Sequence, residues 1–249
     1  MLKLLLQALS WLLAHSPEPL LRVVSAILGD LMFWALPRRR RVALSNLDHA
    51  FPERPRAWHR AIARESSRRM VETILFSLAT PYLNPERLNG IIRPNASLID
   101  FTRRMQREPH PVVLVSPHMA YWEAQICMSY VLPKPFPEMG VIYRPLDNAA
   151  ANAWVTRARE RFGMRLLSRK EGFAEAMRIL RRNAIVGVLF DQNAGMQGAL
   201  GTLLGRVCST SELPGLMAEK FSAEVVALYP RRTPRSPRTR RRSTPRSRA

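Results

Sequence analysis

Residues 112–123 read VVLVSPHMAYWE. The first five, Val112–Ser116, form a short continuous apolar run, the pattern of a strand buried on both faces. Residues 184–190, AIVGVLF, repeat that pattern more strongly. Around these two runs, 140–143, 166–168 and 224–229 also read as strands. Segments 119–131, 148–162, 171–182 and 211–221 carry helical composition between them. Strands alternating with helices predict an α/β domain with a mostly parallel sheet flanked by helices. Such sheets bind ligands beyond the carboxyl ends of their strands, so the residues that follow each strand become the candidates.

After VVLVS comes His118, and five positions later Glu123. A neutral imidazole is a suitable general base for a hydroxyl near neutral pH, and a carboxylate can fix its tautomer and orientation. The two do not share a face of one helix; they meet only if His118 precedes the helix and turns back toward it. After Gly140–Tyr143 comes Arg144, and after AIVGVLF come Asp191 and Gln192. Each has an ordinary alternative: a structural histidine, a surface ion pair for Arg144, a turn or helix cap for Asp191. Three successive strands followed by His, Arg and Asp-Gln nevertheless converge on one edge of a sheet. The chain has no Gly-x-Gly-x-x-Gly or phosphate-loop motif and only 11 glycines, which argues against a nucleotide cradle.

Upstream, residues 1–36 are strongly apolar and are broken at Pro17-Glu18-Pro19. Lys3, Gln7 and Ser10, then Arg22, Ser25 and Asp30, form narrow polar stripes. Neither half reaches the ~20 clean apolar residues of a simple spanning helix. The expectation is an amphipathic helical region that attaches to a membrane, with a core helical hairpin as the alternative. Trp34 and Arg38–Arg41 mark its cytoplasmic-side boundary. Residues 55–80 predict a long helix in which Arg56, Arg60, Arg64 and Arg68 recur every four positions. That ridge is either a solvated face or a dock for lipid headgroups or an acidic carrier protein.

The whole chain of 249 residues is basic, with 39 Lys and Arg against 19 Asp and Glu and a net charge of +20. Nine arginines fall in 231–249, but the remainder is still basic. A basic protein seeks polyanions: nucleic acid, anionic lipid or an acidic protein. The two cysteines, Cys127 and Cys208, offer neither a disulfide framework nor a zinc pattern, and read as packing residues.

Taken in order, RRRRVALSNLDHAFP (38–52), SPHMAYWE (116–123), VIYRPLDN (141–148), RERFGMRLLSRK (159–170), GVLFDQNAG (187–195) and the stretch from Gly201 to Arg232 resemble the lipid A biosynthesis lauroyl/myristoyl acyltransferase family, within the wider glycerolipid acyltransferase superfamily. The resemblance implies an acyl carrier protein thioester as donor and a hydroxyl of a lipid A precursor as acceptor, at the cytoplasmic face of the bacterial inner membrane. It implies no metal and no redox cofactor. His118 takes the place of the family's catalytic histidine and Glu123 that of its acidic partner. Arg144 falls on a motif arginine that binds phosphate or steadies the intermediate, and Asp191 and Gln192 on a further substrate-binding motif.

Two departures from the family pattern stand out. Ala120 and Tyr121 replace the more usual Gly and Asn. From residue 231 the chain becomes RRTPRSPRTRRRSTPRSRA, which lacks the apolar residues to pack and is expected to be disordered. An out-of-frame reading of an Arg-rich gene would account for that change, and would leave the domain incomplete at its carboxyl end. The expected organisation is a membrane-associated helical region (1–36), an acyltransferase domain (37–230) and a tail (231–249). Other readings are transfer to another glycolipid or aminolipid, an inactive homologue acting as a membrane scaffold, or a polybasic nucleic-acid-binding protein. No nucleic-acid module is visible in residues 1–230, so nucleic acid is not an expected partner.

Overall fold

A computed structural model describes residues 2–169 and 172–232; the greater part of the Arg-rich tail, 233–249, lies outside the described residues. Four helices come first: α1 (Leu2–His15), α2 (Glu18–Ala35), α3 (Pro37–Ala50) and α4 (Arg56–Ala79). Proline opens or closes each junction: Pro17 precedes α2, Pro37 sits at the first position of α3, and Pro55 precedes α4. Proline lacks the N–H that a helix interior needs but fits its first turn, so the chain turns at each of these points. Then follow α5 (Pro85–Ile91) and α6 (Ala96–Arg107). Asn84 and Asn95 cap them by accepting from the Arg87 and Leu98 amides at 2.8 and 2.9 Å.

The α/β part runs β1 (Val112–Ser116), a 3-10 segment (Trp122–Cys127), α7 (Met128–Val131), β2 (Met139–Tyr143), α8 (Ala149–Glu160), β3 (Arg165–Ser168), α9 (Phe173–Arg181), β4 (Ile185–Leu189), a hairpin of β5 (Ala199–Leu203) and β6 (Arg206–Thr210), α10 (Leu213–Phe221) and β7 (Glu224–Ala227). Five strands form a wholly parallel sheet in the order β3-β2-β4-β1-β7. The expected α/β class with a parallel sheet and flanking helices is therefore what the chain adopts. Burial on both faces of β1 and β4 explains their unbroken apolar runs. One core cluster lies between the sheet and the helices that precede it, around Leu83, Leu88, Met105, Leu114 and Phe162. The other lies under α9 and α10, around Val113, Ile179, Leu180, Val186 and Met217.

The amino-terminal helices are turned in a specific sense. On α2 the polar stripe faces α4: Asp30 takes two contacts from Arg64, at 2.8 and 2.5 Å, and two from Arg68, at 2.6 and 2.7 Å. Ser25 is buried, and Gly29 lets the two backbones touch, since a Cβ there would stand 2.4 Å from the Arg68 Cα. Leu20, Val23, Ile27, Leu31 and Trp34 are left on the outer face, all more than half exposed. Similarly, α1 buries Ser10, Leu13 and Ala14 and exposes Leu4, Leu5, Leu9, Trp11 and Leu12. Half of the expected arginine ridge, Arg64 and Arg68, is thus engaged within the protein. No single helix among the described residues is long and apolar enough to cross a membrane; α2 and α3 together pass on length and composition but meet at 94°.

Candidate active site

The sheet register builds the site. Ser116 of β1 stands opposite Leu189 of β4. Two residues past each strand end lie His118 and Asp191, carried by parallel neighbours to the same level. The Asp191 carboxylate accepts from the His118 backbone N–H at 2.8 Å and meets the ring Nδ1 at 2.7 Å. An ionised carboxylate only accepts, so Nδ1 carries the proton and Nε2 is the basic lone pair. Both side chains are about one-third exposed.

Glu123 is placed differently from the expectation. It is buried, and its partner is the Arg159 guanidinium of α8, which donates through Nη2 to Oε1 and through Nε to Oε2 at 3.2 Å. Burial pushes the Glu123 carboxyl up, and the charges of Arg159 and, more weakly, His118 pull it back. The carboxylate that orients His118 is therefore Asp191, while Glu123 anchors Arg159. Trp122 joins the two halves: its ring meets that of His118 edge-on at 5.3 Å, and Arg159 lies over it at 5.5 Å.

The segment between His118 and Glu123 is irregular rather than the helix expected from residue 119. Ala120 adopts φ +48°, and helix begins only at Trp122, in the 3-10 form. Thr73 of α4 and Thr80 just past its end hold it there. Thr73 Oγ1 donates to the Ala120 carbonyl at 2.8 Å, and the buried Tyr121 hydroxyl bonds Thr80. A glycine at position 120 would adopt this conformation freely, which gives the family's usual Gly a backbone reason and makes Ala120 a strained replacement. Tyr121 packs against Phe76 at 5.6 Å between ring centroids and fills the space beneath the turn.

His118, Met119, Trp122, Glu123, Arg159 and Gln192 all line one cavity of about 740 Å3. Its walls are apolar: Ile62, Met70, Ile74 and Leu78 of α4, Ile126, and Trp154, Val155 and Ala158 of α8. This size lies within the range of sites that enclose small ligands, and the pattern is a long apolar wall with a few convergent polar groups. Arg144 lies outside it, exposed at the end of β2, 3.7 Å from Asp147. Of the expected residues, then, the structure brings His118, Gln192 and Glu123 to one cavity, sets Asp191 against His118, and leaves Arg144 at the rim of the sheet. Arg159 joins the site without being among the expected residues. Its partner is 36 positions away, so no local spacing marks it. Cys127 is fully buried, with its thiol pushed up to about 12 chiefly by burial, and is no nucleophile.

An imidazole held by a carboxylate, beside a half-buried arginine and an apolar cavity, is an arrangement that general-base chemistry can use. The chain belongs to the bacterial lipid A biosynthesis acyltransferases: that family's model matches residues 1–247. The match runs past Arg232, into the Arg-rich tail. No curated relative matches the chain.

Proposed function

We propose that the protein moves a lauroyl- or myristoyl-type chain from an acyl carrier protein thioester to a hydroxyl of a lipid A precursor. The observation that carries this reading is the His118–Asp191 pair at the mouth of an apolar cavity. His118 Nε2 takes the proton of the acceptor hydroxyl, and its oxygen attacks the thioester carbonyl. The tetrahedral oxyanion collapses, expels the carrier thiolate, and the imidazolium returns the proton to that sulfur. Asp191 holds the tautomer and offsets the imidazolium charge. Arg159, fixed by Glu123 and stacked on Trp122, supplies positive charge at the oxyanion; a good donor there is worth roughly 2.7–4 kcal/mol. The acyl chain lies along α4 and α8. Gln192, and Arg144 at the rim, serve the polar headgroup.

The reaction takes place at the cytoplasmic face of the inner membrane. The support is the arrangement of α1 and α2: Asp30 of α2 pairs with α4, while the leucines and tryptophans of both helices point outward. An exposed apolar patch of this extent marks an interaction surface, and the basic Arg38–Arg41 run beside it favours anionic headgroups. The net charge of +20 suits an acidic carrier protein.

A thioester assay with acyl carrier protein as donor and a lipid A precursor as acceptor tests the reading. Wild type turns over, and His118→Ala loses turnover by about 100-fold or more with folding kept. Equal turnover in the two would remove His118 from the chemistry.

A further inference from the structure

The β5–β6 hairpin departs directly from the site. Asp191 and Gln192 are followed by a turn whose Ala194 amide donates to the Ser209 carbonyl at 3.1 Å, while Ser209 Oγ donates to the Gly195 carbonyl at 2.6 Å. Those bonds fasten the hairpin's base beside the His118–Asp191 pair. Its tip reaches the other way, to the end of α3, where Arg206 Nε donates to the His49 carbonyl at 3.4 Å.

On one side of the hairpin Ala199, Gly201, Cys208 and Thr210 are half-buried; on the other Leu200, Thr202 and Val207 are exposed. Register places Leu200 opposite Ser209 and Thr202 opposite Val207 on one side, with Leu203 opposite Arg206 on the other. Leu200 and Val207 are 80% and 75% exposed, and Leu203, Leu204 and Met196 are exposed as well. A two-stranded hairpin is marginal in water on its own, and one that shows leucine on both sides has nothing to gain from water.

Its turn is more specific. Leu204 and Gly205 both have positive φ, +52° and +72°, the conformation of a type I′ turn. Asn-Gly or Asp-Gly suits that turn; leucine does not. A large apolar side chain therefore sits at the tip against the local backbone preference, fully outside the core. Between Asp191 and Glu212 the chain has no acidic residue and one cation, Arg206. An apolar tip flanked by arginine is complementary to a bilayer with anionic headgroups.

We propose that the β5–β6 hairpin is a second membrane contact: its Leu203–Leu204 tip enters the headgroup and upper acyl layer of an anionic bilayer and sets the cavity mouth against the lipid surface. This rests on the acceptor being a lipid drawn from that bilayer. It adds to the amino-terminal helices a contact fixed to the catalytic loop itself.

The test places an environment-sensitive dye at the tip of the full chain, as Leu204→Cys with Cys208→Ser; Cys127 is buried and stays unlabelled. On vesicles of phosphatidylethanolamine and phosphatidylglycerol the dye emission shifts blue and is quenched by lipids labelled in the upper acyl chain. His118→Ala keeps this shift while losing turnover, so failure of the acyl-transfer reading is seen separately. A dye that stays aqueous on vesicle-bound protein overturns the proposal. So does a shift that needs no vesicles and tracks self-association, or one produced by acyl carrier protein alone, since a second copy or the carrier would then be the occupant. As a companion, Leu204→Asn installs the preferred turn residue and removes the apolar tip. Its thermal midpoint is kept or raised. Its turnover falls about tenfold on vesicle-borne acceptor and is unchanged on detergent-dispersed acceptor. An equal fall in both would mean that the tip acts on the site directly, against the proposal.

Discussion

Asp191 grips His118 at two points, the ring Nδ1 at 2.7 Å and the backbone amide at 2.8 Å, so one carboxylate fixes both the imidazole and the loop that carries it. Asp191→Asn keeps the size and one acceptor but can present its amide nitrogen to Nδ1, which favours the wrong tautomer. Turnover is expected to fall by about 100-fold to 10,000-fold with little change in KM. Steady-state kinetics beside circular dichroism check it; a variant with full turnover would show that this carboxylate is only a loop anchor.

Glu123 is buried and its partner Arg159 half-buried, so the halves of the pair are not separable without cost. Arg159→Ala strands a carboxyl in the core and is expected to destabilise the fold by about 3 kcal/mol. The variant Glu123→Gln/Arg159→Ala should be less destabilised than Arg159→Ala alone, because the orphaned charge has gone. Denaturant unfolding of wild type, Glu123→Gln, Arg159→Ala and the double variant measures the difference, and strict additivity would deny the coupling.

Ala120, at φ +48°, supports a prediction of the opposite sign. Ala120→Gly should stabilise the protein by roughly 1 kcal/mol, since glycine takes the left-handed conformation without the Cβ clash. Thermal melting decides it, and a lower midpoint would mean that the alanine methyl contributes packing that outweighs its strain.

How far such features could be read from the chain depends on whether they are local. The apolar runs VVLVS and AIVGVLF marked two strands because burial on both faces leaves no alternation to misread. The place of His118, Asp191 and Gln192 just past strand ends was legible for the same reason. Their pairing was not, because β4 inserts between β1 and β2, and strand order is set by crossover packing rather than by sequence order. Glu123, the nearest acid along the chain, consequently looked like the partner of His118. The stripe Arg22-Ser25-Asp30 was visible, but a stripe does not say which side faces water; Asp30 turns to Arg64 and Arg68. Nothing local marks the β5–β6 hairpin, because Leu-Gly is a poor signal for its turn.

Asp30 also carries a pH dependence. Hydrogen bonds from Arg68 and then Arg64 hold its carboxyl far below the usual carboxylate range. The unfolded chain binds that proton more readily than the folded one, so the stabilisation is full above the ordinary value and is lost as pH falls below about 4. The thermal midpoint should therefore drop on acidification, and the drop should be shallower in Asp30→Asn. Parallel acid limbs for the two proteins would remove Asp30 from the effect.

The two thiols should separate cleanly. Cys127 is buried and its thiol is pushed up to about 12, whereas Cys208 on β6 is partly exposed. A thiol reagent at mildly alkaline pH should label one cysteine in the native protein, mapped to Cys208 by mass spectrometry, and both after unfolding. Rapid native labelling of Cys127 would mean that the 3-10 segment opens readily.

The position of β1 in the sheet has a consequence for biosynthesis. This strand delivers the imidazole, yet its neighbours β4 and β7 are translated long after it, with β2, α8, β3 and α9 made in between. A nascent chain thus carries the sticky edge VVLV unprotected on the ribosome until its partners emerge. Slow elongation, low temperature or a co-expressed holdase should raise the soluble yield more than any change of buffer after lysis.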